Sequence, residues 1–389
     1  MPRRTLIVLV SLLVVGMALW FGLNAFCAFK DAEFNPVTAP GPYAVAPEIA
    51  ELHGEFFVSD LHADTLLWRR NPLQRHDFGH VDLPRLVDGG VALQVFGLVT
   101  RVPAGQNFDS NPTDGGDRMV ALAAAQRWPL DTWFDPLARA HFQMQRLHAL
   151  EVDSEGTLLV IETRRDLEAL VERRTRGETV VGGLLAAEGA HFDSLDELDA
   201  LVDGGLRMLG LAHFFDNTVA GSAHGEAKGG LTDFGRRVIP AAEARGVVID
   251  LAHASPRAFA EAAALATRPV VVSHTGVRGT CDRIRNLSDD QLWAVAKTRG
   301  VVGIALFPEA VCGTDLEATL KAIDHAVDII GVDHVGLGSD FDGTVLTPVD
   351  VAGLPLITAG LVERGYDRDA IEKIMGGNVW RVLRATLPE

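Results

Sequence analysis

Cysteine is scarce in this sequence: three occur among 389 residues, and no two form a CxxC pair. Cys27 lies in an apolar N-terminal run, while Cys281 and Cys312 are isolated and show no repeated spacing. This pattern does not indicate a disulfide framework. We therefore predict that Cys281 and Cys312 are free thiols. A single bridge between them, which would need an oxidising compartment, is the alternative.

An excess of positive charge is also missing. Lys and Arg number 35 against 52 Asp and Glu, which gives a net charge of -17. Since no basic field offsets phosphate repulsion, we expect no nucleic-acid partner.

No GxGxxG follows the first strand candidate, which argues against a dinucleotide-binding sheet. The composition, 48% hydrophobic and 22% charged, is ordinary for a globular protein, and the length suits one large barrel or two smaller domains.

Charge is absent from Thr5 to Phe29, directly after Arg3 and Arg4. This run is long enough to span a hydrocarbon core of roughly 30 Å, and it is longer than the apolar region of a cleavable signal peptide. We predict that residues 1–30 are an uncleaved membrane anchor with its arginines in the cytoplasm and the main domain in the periplasm. A cleaved signal, which would leave a secreted or periplasmic protein, is the alternative.

Residues 31–50 follow this run and carry four prolines, which predicts an extended linker. Short apolar runs then alternate with amphipathic stretches over residues 51–389. The strand candidates are 56–61, 91–99, 181–187, 207–213, 246–252, 269–274, 300–307 and 334–339, with an extra apolar run at 158–161. The helix candidates are 116–129, 164–175, 194–203, 233–245, 256–266, 288–299, 315–330 and 354–365. Eight such units predict an α/β protein with a (β/α)8 TIM barrel and insertions, and a doubly wound open sheet is the alternative.

Ionisable side chains follow the ends of these strand candidates. They are His62, Asp64, Glu188, His213, His253, His274 and Asp340. In a barrel all these ends meet on one face, where active sites are found. So many buried polar groups would be costly without a ligand, and they exceed what one tetrahedral zinc can take. The set suits two metal ions that share a bridging carboxylate. His191 and His224, in loops on the same face, are weaker candidates.

The order and spacing of several short motifs carry a family resemblance. They are Asp60-Leu-His-Ala-Asp64, His80-Val-Asp-Leu-Pro-Arg-Leu86, Glu188-Gly189, Gly230-Leu-Thr-Asp-Phe-Gly235, Asp250-Leu-Ala-His253, Ser273-His274, Arg285-Asn-Leu-Ser-Asp-Asp290, Gly338-Ser-Asp-Phe-Asp-Gly343 and Gly377-Asn378. In these motifs the chain resembles the membrane (renal) dipeptidases, which are zinc metallopeptidases with an amidohydrolase-like (β/α)8 barrel. The resemblance covers most of residues 51–385.

The resemblance implies a site with two Zn2+ ions per chain. It places His62 and Asp64 on one zinc, His253 and His274 on the other, and Glu188 between them. It implies that a hydroxide bridging the metals hydrolyses a dipeptide, including dipeptides with a C-terminal D-residue. It further implies a homodimer.

Three more roles follow from the resemblance. It makes Asp340 the catalytic proton shuttle beside the substrate, His213 a catalytic and substrate-binding group that stabilises the oxyanion, and Arg285 the group that binds the substrate carboxylate. Asn217 departs from the pattern, because it lies one residue further from His213 than the family leads us to expect. From position alone, Arg285 could equally form a surface salt bridge.

Two other functions remain open at this point. The first is a metal-dependent hydrolase of the amidohydrolase type that acts on a lactone, cyclic amide, β-lactam or phosphotriester. The amidohydrolase pattern usually has His-x-His on its first strand, whereas this chain has His62-Ala-Asp64. The second is a non-catalytic binding protein on the same scaffold. Residues 101–156 carry no motif, and their Gly/Asn/Asp-rich loop, 105–116, is expected to line or cover the pocket.

Overall fold

A ring of parallel strands organises the chain, and each strand lies in one of its short apolar runs. The computed structural model describes residues 3–389, with side chains described without interruption from Gly22 onwards. The strands in chain order are β1 (Val58–Ala63), β2 (Val91–Val99), β3 (Leu158–Val160), β4 (Val181–Glu188), β5 (Leu206–Gly210), β6 (Val248–Asp250), β7 (Val271–Thr275), β8 (Val301–Ile304) and β9 (Val335–Leu337).

Eight of these strands form the barrel in the order β1-β2-β4-β5-β6-β7-β8-β9, and β3 pairs with β4 outside the ring. The chain just beyond β9 closes the ring on β1, since the Asp64 amide donates to the Phe341 carbonyl at 2.8 Å. Strands β2 and β4 are buried along their whole lengths, as expected for a parallel sheet covered on both faces. The predicted (β/α)8 barrel with insertions is confirmed, and the open-sheet alternative is wrong.

Helices cover the outside of the barrel and alternate with its strands. They are α1 (Arg3–Phe34), α2 (Pro47–Gly54), α3 (Leu83–Asp88), α4 (Met119–Gln126), α5 (Pro136–Asp153), α6 (Arg164–Thr175), α7 (Leu195–Asp203), α8 (Gly235–Ala244), α9 (Pro256–Leu265), α10 (Asp289–Lys297), α11 (Pro308–Val311), α12 (Leu316–Ile330), α13 (Pro355–Glu363), α14 (Arg368–Glu372) and α15 (Asn378–Thr386). Side chains at several N-termini accept hydrogen bonds from the free backbone amides of the first turn, as Asp135 and Ser194 do.

Three segments differ from the sequence-based expectations. The region without motifs contains the 18-residue helix α5, which begins with Asp135 as N-cap and Pro136 in its first turn. The ambiguous run at 158–161 is strand β3. The expected linker is bound to the barrel rather than free. Its first residues form the end of α1 and its last residues form the beginning of α2. Between them, the Thr38 amide donates to the Thr347 carbonyl at 2.8 Å.

The prediction of free thiols at Cys281 and Cys312 is wrong, because the two form a disulfide with 5.4 Å between their Cα atoms. The sequence could not reveal this proximity. Cys281 lies on the loop after β7 and Cys312 directly after α11, on the next strand's connection. Neighbouring barrel strands bring these two connections together. The bridge therefore ties the connection after β7 to the connection after β8.

In the part of the chain that the structure covers, none of the helices combines the length and the apolar character needed to cross a membrane. The predicted anchor, residues 1–30, rests mainly on residues before Gly22, most of whose side chains lie outside the described ones. It therefore stays a prediction.

Candidate active site

The ionisable residues at the strand ends meet at one rim of the barrel. His62 lies in β1, with Asp64 immediately after that strand, and Glu188 ends β4. His213 follows β5, His253 follows β6, His274 lies within β7 and Asp340 follows β9. All seven side chains are buried. The barrel thus brings together residues that lie far apart in the sequence.

Glu188 lies at the centre of this group. Its Oε1 is 3.1 Å from His253 Nε2, 3.4 Å from His274 Nε2 and 3.7 Å from His62 Nε2. The His253 and His274 Nε2 atoms lie 2.9 Å apart, and His62 Nε2 lies 3.3 Å from Asp64 Oδ1. Nitrogen and carboxylate oxygen atoms therefore converge from four strands on one small volume.

These separations suit shared cations. Two donor atoms bound at about 2.1 Å to one tetrahedral ion lie about 3.4 Å apart. The donors form one group of His62, Asp64 and Glu188 and a second of Glu188, His253 and His274. His62 Nε2 and Asp64 Oδ1 also lack any hydrogen-bond partner among the described residues. Buried polar atoms without partners are costly, and divalent metal ions would satisfy them.

Asp340 lies beside the same groups. One of its carboxylate oxygens lies within 4.8 Å of ligand atoms of His62 and His274. Its φ is +65°, and that of Asp342 is +63°. Few residue types tolerate this left-handed conformation, and Asp is one of them. The strained loop aims the Asp340 carboxylate back over the barrel rim.

The charges of the rim are strongly perturbed. Burial raises the pKa of Glu188 well above its usual value and that of Asp340 to about 7. Burial lowers the pKa of His253 and His274 well below the usual range. For His62, burial also acts to lower the pKa, but Asp64 and Glu188 outweigh it and raise the value to about 10. Perturbations of this size concentrate at functional sites.

Supporting hydrogen bonds orient the rim. Asp250 accepts hydrogen bonds from the Ser273 backbone amide at 2.8 Å and hydroxyl at 2.5 Å, and Ser273 Oγ lies 2.9 Å from His274 Nδ1. Asp60 accepts from the amide and hydroxyl of Ser339, both at 2.7 Å. Partners of this kind fix the ring orientation of metal-binding histidines. Asp250 and Ser273 stand inside the family motifs, but nothing in the local sequence predicts these roles.

Arg285 lies on the loop after β7 and is buried, with 7% of its surface exposed. Its Nη1 donates to the His274 carbonyl at 3.1 Å, and its guanidinium lies 4.8 Å from the ring centre of Phe307. Its Nε has no hydrogen-bond partner among the described residues. A surface salt bridge does not fit such a side chain. The geometry leaves Arg285 donors available to an anion in the cavity.

A family model for the membrane dipeptidases, peptidase family M19, matches residues 47–387. The chain belongs to the membrane dipeptidase family. Membership makes it a metallo-dipeptidase, and the alternative of a non-catalytic binding protein is therefore wrong. Enzymes of this family depend on metal ions, and the donor groups around Glu188 are suited to hold them.

Two solved structures and one curated relative support this membership. Dipeptidase tcpJ of Claviceps purpurea is 29% identical over 320 residues, which is 79% of this chain and 69% of that protein. The dipeptidase AC metallopeptidase is 28% identical, with a TM-score of 0.69 over 86% of this chain and 99% of that one. A metallopeptidase from Rhodobacter sphaeroides, crystallised with a phosphinate mimic of the dipeptide L-Ala-D-Ala, is 28% identical, with a TM-score of 0.69 over 85% of this chain and 99% of that one.

His213 lies at the rim of this membrane dipeptidase, although Asn217 is one residue further from it in sequence than the family pattern leads us to expect. Its Nε2 lies 3.2 Å from Glu188 Oε2, while Nδ1 makes a longer contact of 3.4 Å to the Arg101 carbonyl. Burial lowers its pKa well below the usual value, so the ring is neutral at pH 7. Asn217 instead serves its own loop, where its side chain accepts from the amides of Val219 and Ala220.

The two weaker histidine candidates lie in the layer behind the rim. His191 Nδ1 is 2.7 Å from Thr100 Oγ1, and its ring stacks on Phe215. His224 Nδ1 is 2.7 Å from the Phe108 carbonyl, and its ring stacks on Phe214. Neither belongs to the metal-binding groups found among the described residues. We assign both to the packing of the pocket wall.

A cavity of about 610 Å3 opens over the rim of the dipeptidase. Glu188, His213, Arg285 and Asp340 reach it from the barrel. The segment without motifs contributes Gln106, Phe108 and residues of α4 to its lining. The prediction that the loop at 105–116 lines the pocket is confirmed for Gln106 and Phe108.

Proposed function

We propose that this enzyme hydrolyses dipeptides with two Zn2+ ions per chain, and that its substrates include dipeptides with a C-terminal D-residue. One observation carries the proposal: two donor groups that share Glu188 face the same cavity as the free donors of Arg285. Histidine nitrogens with carboxylates form a donor set that zinc accepts well. The dipeptide mimic bound to the R. sphaeroides relative supports the substrate class.

Each residue of the site has a chemical task in this proposal. His62, Asp64 and Glu188 hold one ion, and Glu188, His253 and His274 hold the other. When bound, two zinc ions lower the pKa of a shared water towards 7 and polarise the peptide carbonyl. Asp340 accepts the proton of the attacking water and passes it to the leaving amine. The His213 N–H, on the Nε2 atom that faces Glu188, stabilises the developing oxyanion.

Arg285 limits the length of the substrate. A guanidinium binds a carboxylate through two parallel hydrogen bonds. Its position in the wall of the cavity holds the C-terminal carboxylate one residue beyond the scissile bond, which leaves no room for a longer chain at that end. The Phe307 ring and the hydrogen bond to the His274 carbonyl keep the guanidinium in place.

Arg285→Lys is expected to lower kcat/KM at least tenfold for dipeptides with a free C-terminal carboxylate, because one ammonium replaces a two-pronged contact. The same substitution should change hydrolysis of the C-terminally amidated dipeptide less than threefold. Steady-state kinetics on the matched pair of substrates check this. Equal losses on both substrates would contradict the assigned role.

The function itself is tested by metal content and activity on one preparation of the full chain. We expect about two zinc ions per chain, hydrolysis of dipeptides, loss of that hydrolysis on chelation and its return when zinc is added. Two bound metals with no dipeptide hydrolysis would overturn the substrate assignment. A panel of a lactone, a cyclic amide, a β-lactam and a phosphotriester would then identify the other class of amidohydrolase-type reaction.

We also propose that residues 1–30 anchor the enzyme in the membrane and that its catalytic domain lies in the periplasm. The run from Thr5 to Ala25 is long enough to span the hydrocarbon core, which leaves the last turns of α1 beside the catalytic domain. The Cys281–Cys312 disulfide supports an oxidising compartment, since such bonds are rare where thiols are kept reduced.

A further inference from the structure

The last turns of α1 form part of the wall of the active-site cavity. Phe26, Cys27, Lys30 and Phe34 all line it. Phe26 and Phe34 are 50% and 37% exposed, so both rings present apolar surface beside the cavity. An element that precedes the barrel in sequence therefore contributes directly to the catalytic cavity.

Buried contacts hold this end of α1 in place. The Asp31 carboxylate accepts from Arg70 Nη1 at 2.5 Å, and the other amino group of Arg70 donates to Asp342. All three side chains are buried. Asp342 is two residues from Asp340, so the helix is joined to the loop that carries the proton shuttle.

Two further contacts fix the same turns. Cys27 Sγ donates to the Ala125 carbonyl at 3.2 Å, and the Phe34 and Trp68 rings lie 6.3 Å apart. Ala125 belongs to α4, on the connection after β2, and Trp68 lies on the connection after β1. The wall is thus packed against the connections after β1 and β2.

The wall lies against the connections that follow β9, β1 and β2. In the ring of eight strands β2 is opposite β7, which precedes the Arg285 loop, while β1 and β9 are three and two strands from β7. A dipeptide whose carboxylate is held at Arg285, and whose peptide bond lies at the metal groups, therefore directs its N-terminal residue towards α1. Leu67, Trp68, Met119 and Leu122 continue the apolar surface there.

We propose that the Phe26–Phe34 segment of α1 selects dipeptides with a large apolar N-terminal side chain. The proposal rests on the dipeptidase function above and adds the substrate preference of this chain. The contact would take apolar surface of Phe26, Phe34 and the substrate out of water together, which favours binding of a large apolar side chain over a small one.

The test uses the zinc-loaded full chain and the series Gly-Gly, Ala-Gly, Leu-Gly and Phe-Gly, which varies only the N-terminal residue. We expect kcat/KM to rise along the series. Phe34→Ala should reduce kcat/KM for Leu-Gly and Phe-Gly on the order of tenfold and for Gly-Gly less than twofold. Phe26→Ala should act in the same direction, and Phe34→Leu should keep the preference.

Phe29→Ala is the matched control, since Phe29 lies on the same helix, is 63% exposed and does not line the cavity. It should leave the whole series unchanged. A flat series in the wild type, or an equal loss on all four substrates in Phe34→Ala, would overturn the selection by α1 while leaving the dipeptidase function intact. If the wild type hydrolyses no dipeptide of the series, both proposals fall.

Discussion

Replacing Glu188 by Gln is expected to remove most of the bound metal and to reduce hydrolysis at least a thousandfold. Glu188 is the member that both donor groups share, with histidine nitrogens 3.1–3.7 Å from its Oε1. A glutamine is neutral and offers a single oxygen acceptor. Each ion would therefore lose an anionic ligand, and the shared water would no longer be activated between two ions.

Metal analysis after gel filtration, together with dipeptide hydrolysis, measures this outcome. Glu243→Gln provides a matched control. Glu243 is as deeply buried as Glu188, but it accepts hydrogen bonds from Thr267 and Arg268 on the far side of the molecule from the rim. We expect this control to keep its metal. Full occupancy of both ions in Glu188→Gln would rule out bridging by Glu188.

Asp340→Asn should retain both metal ions and lose between a hundredfold and ten-thousandfold in kcat, the range associated with one positioned acid–base group. Asparagine has nearly the same shape and cannot accept the proton. The backbone φ of +65° at Asp340 is one that Asn adopts readily. The loop should therefore keep its conformation, and the change should be confined to proton transfer.

Metal content and KM distinguish this result from its alternatives. Unchanged KM and metal content with a low kcat would fit a proton shuttle. Loss of metal would instead make Asp340 a ligand, a role that its position beside His62 and His274 permits. Normal turnover would show that Asp340 takes no part in the reaction.

Much of the barrel and its rim could be predicted from local patterns in the sequence. Short apolar runs alternate with amphipathic segments, and a parallel barrel collects the residue after each run on one face. The same patterns predict that His62, Glu188 and His253 lie together. The reason is that strand direction alone decides which end of each strand a residue occupies.

Other features depend on contacts between distant segments, which no local pattern reveals. Cys281 and Cys312 meet because two neighbouring connections fold towards each other over the rim. Asp31 stands in the predicted extended linker, yet it forms a buried ion pair with Arg70. Asp250 reads as the polar end of a strand, while its actual task is to hold Ser273 beside His274.

The distribution of the candidate metal-binding residues along the barrel also constrains the biosynthesis of the enzyme. His62 belongs to the first strand and His274 to β7, the sixth strand of the ring, and Asp340 follows β9. An unfinished chain that ends before β7 can assemble only the donor group of His62, Asp64 and Glu188. The complete centre can therefore form only after nearly the whole barrel has been synthesised, so a growing chain has no opportunity to become active early.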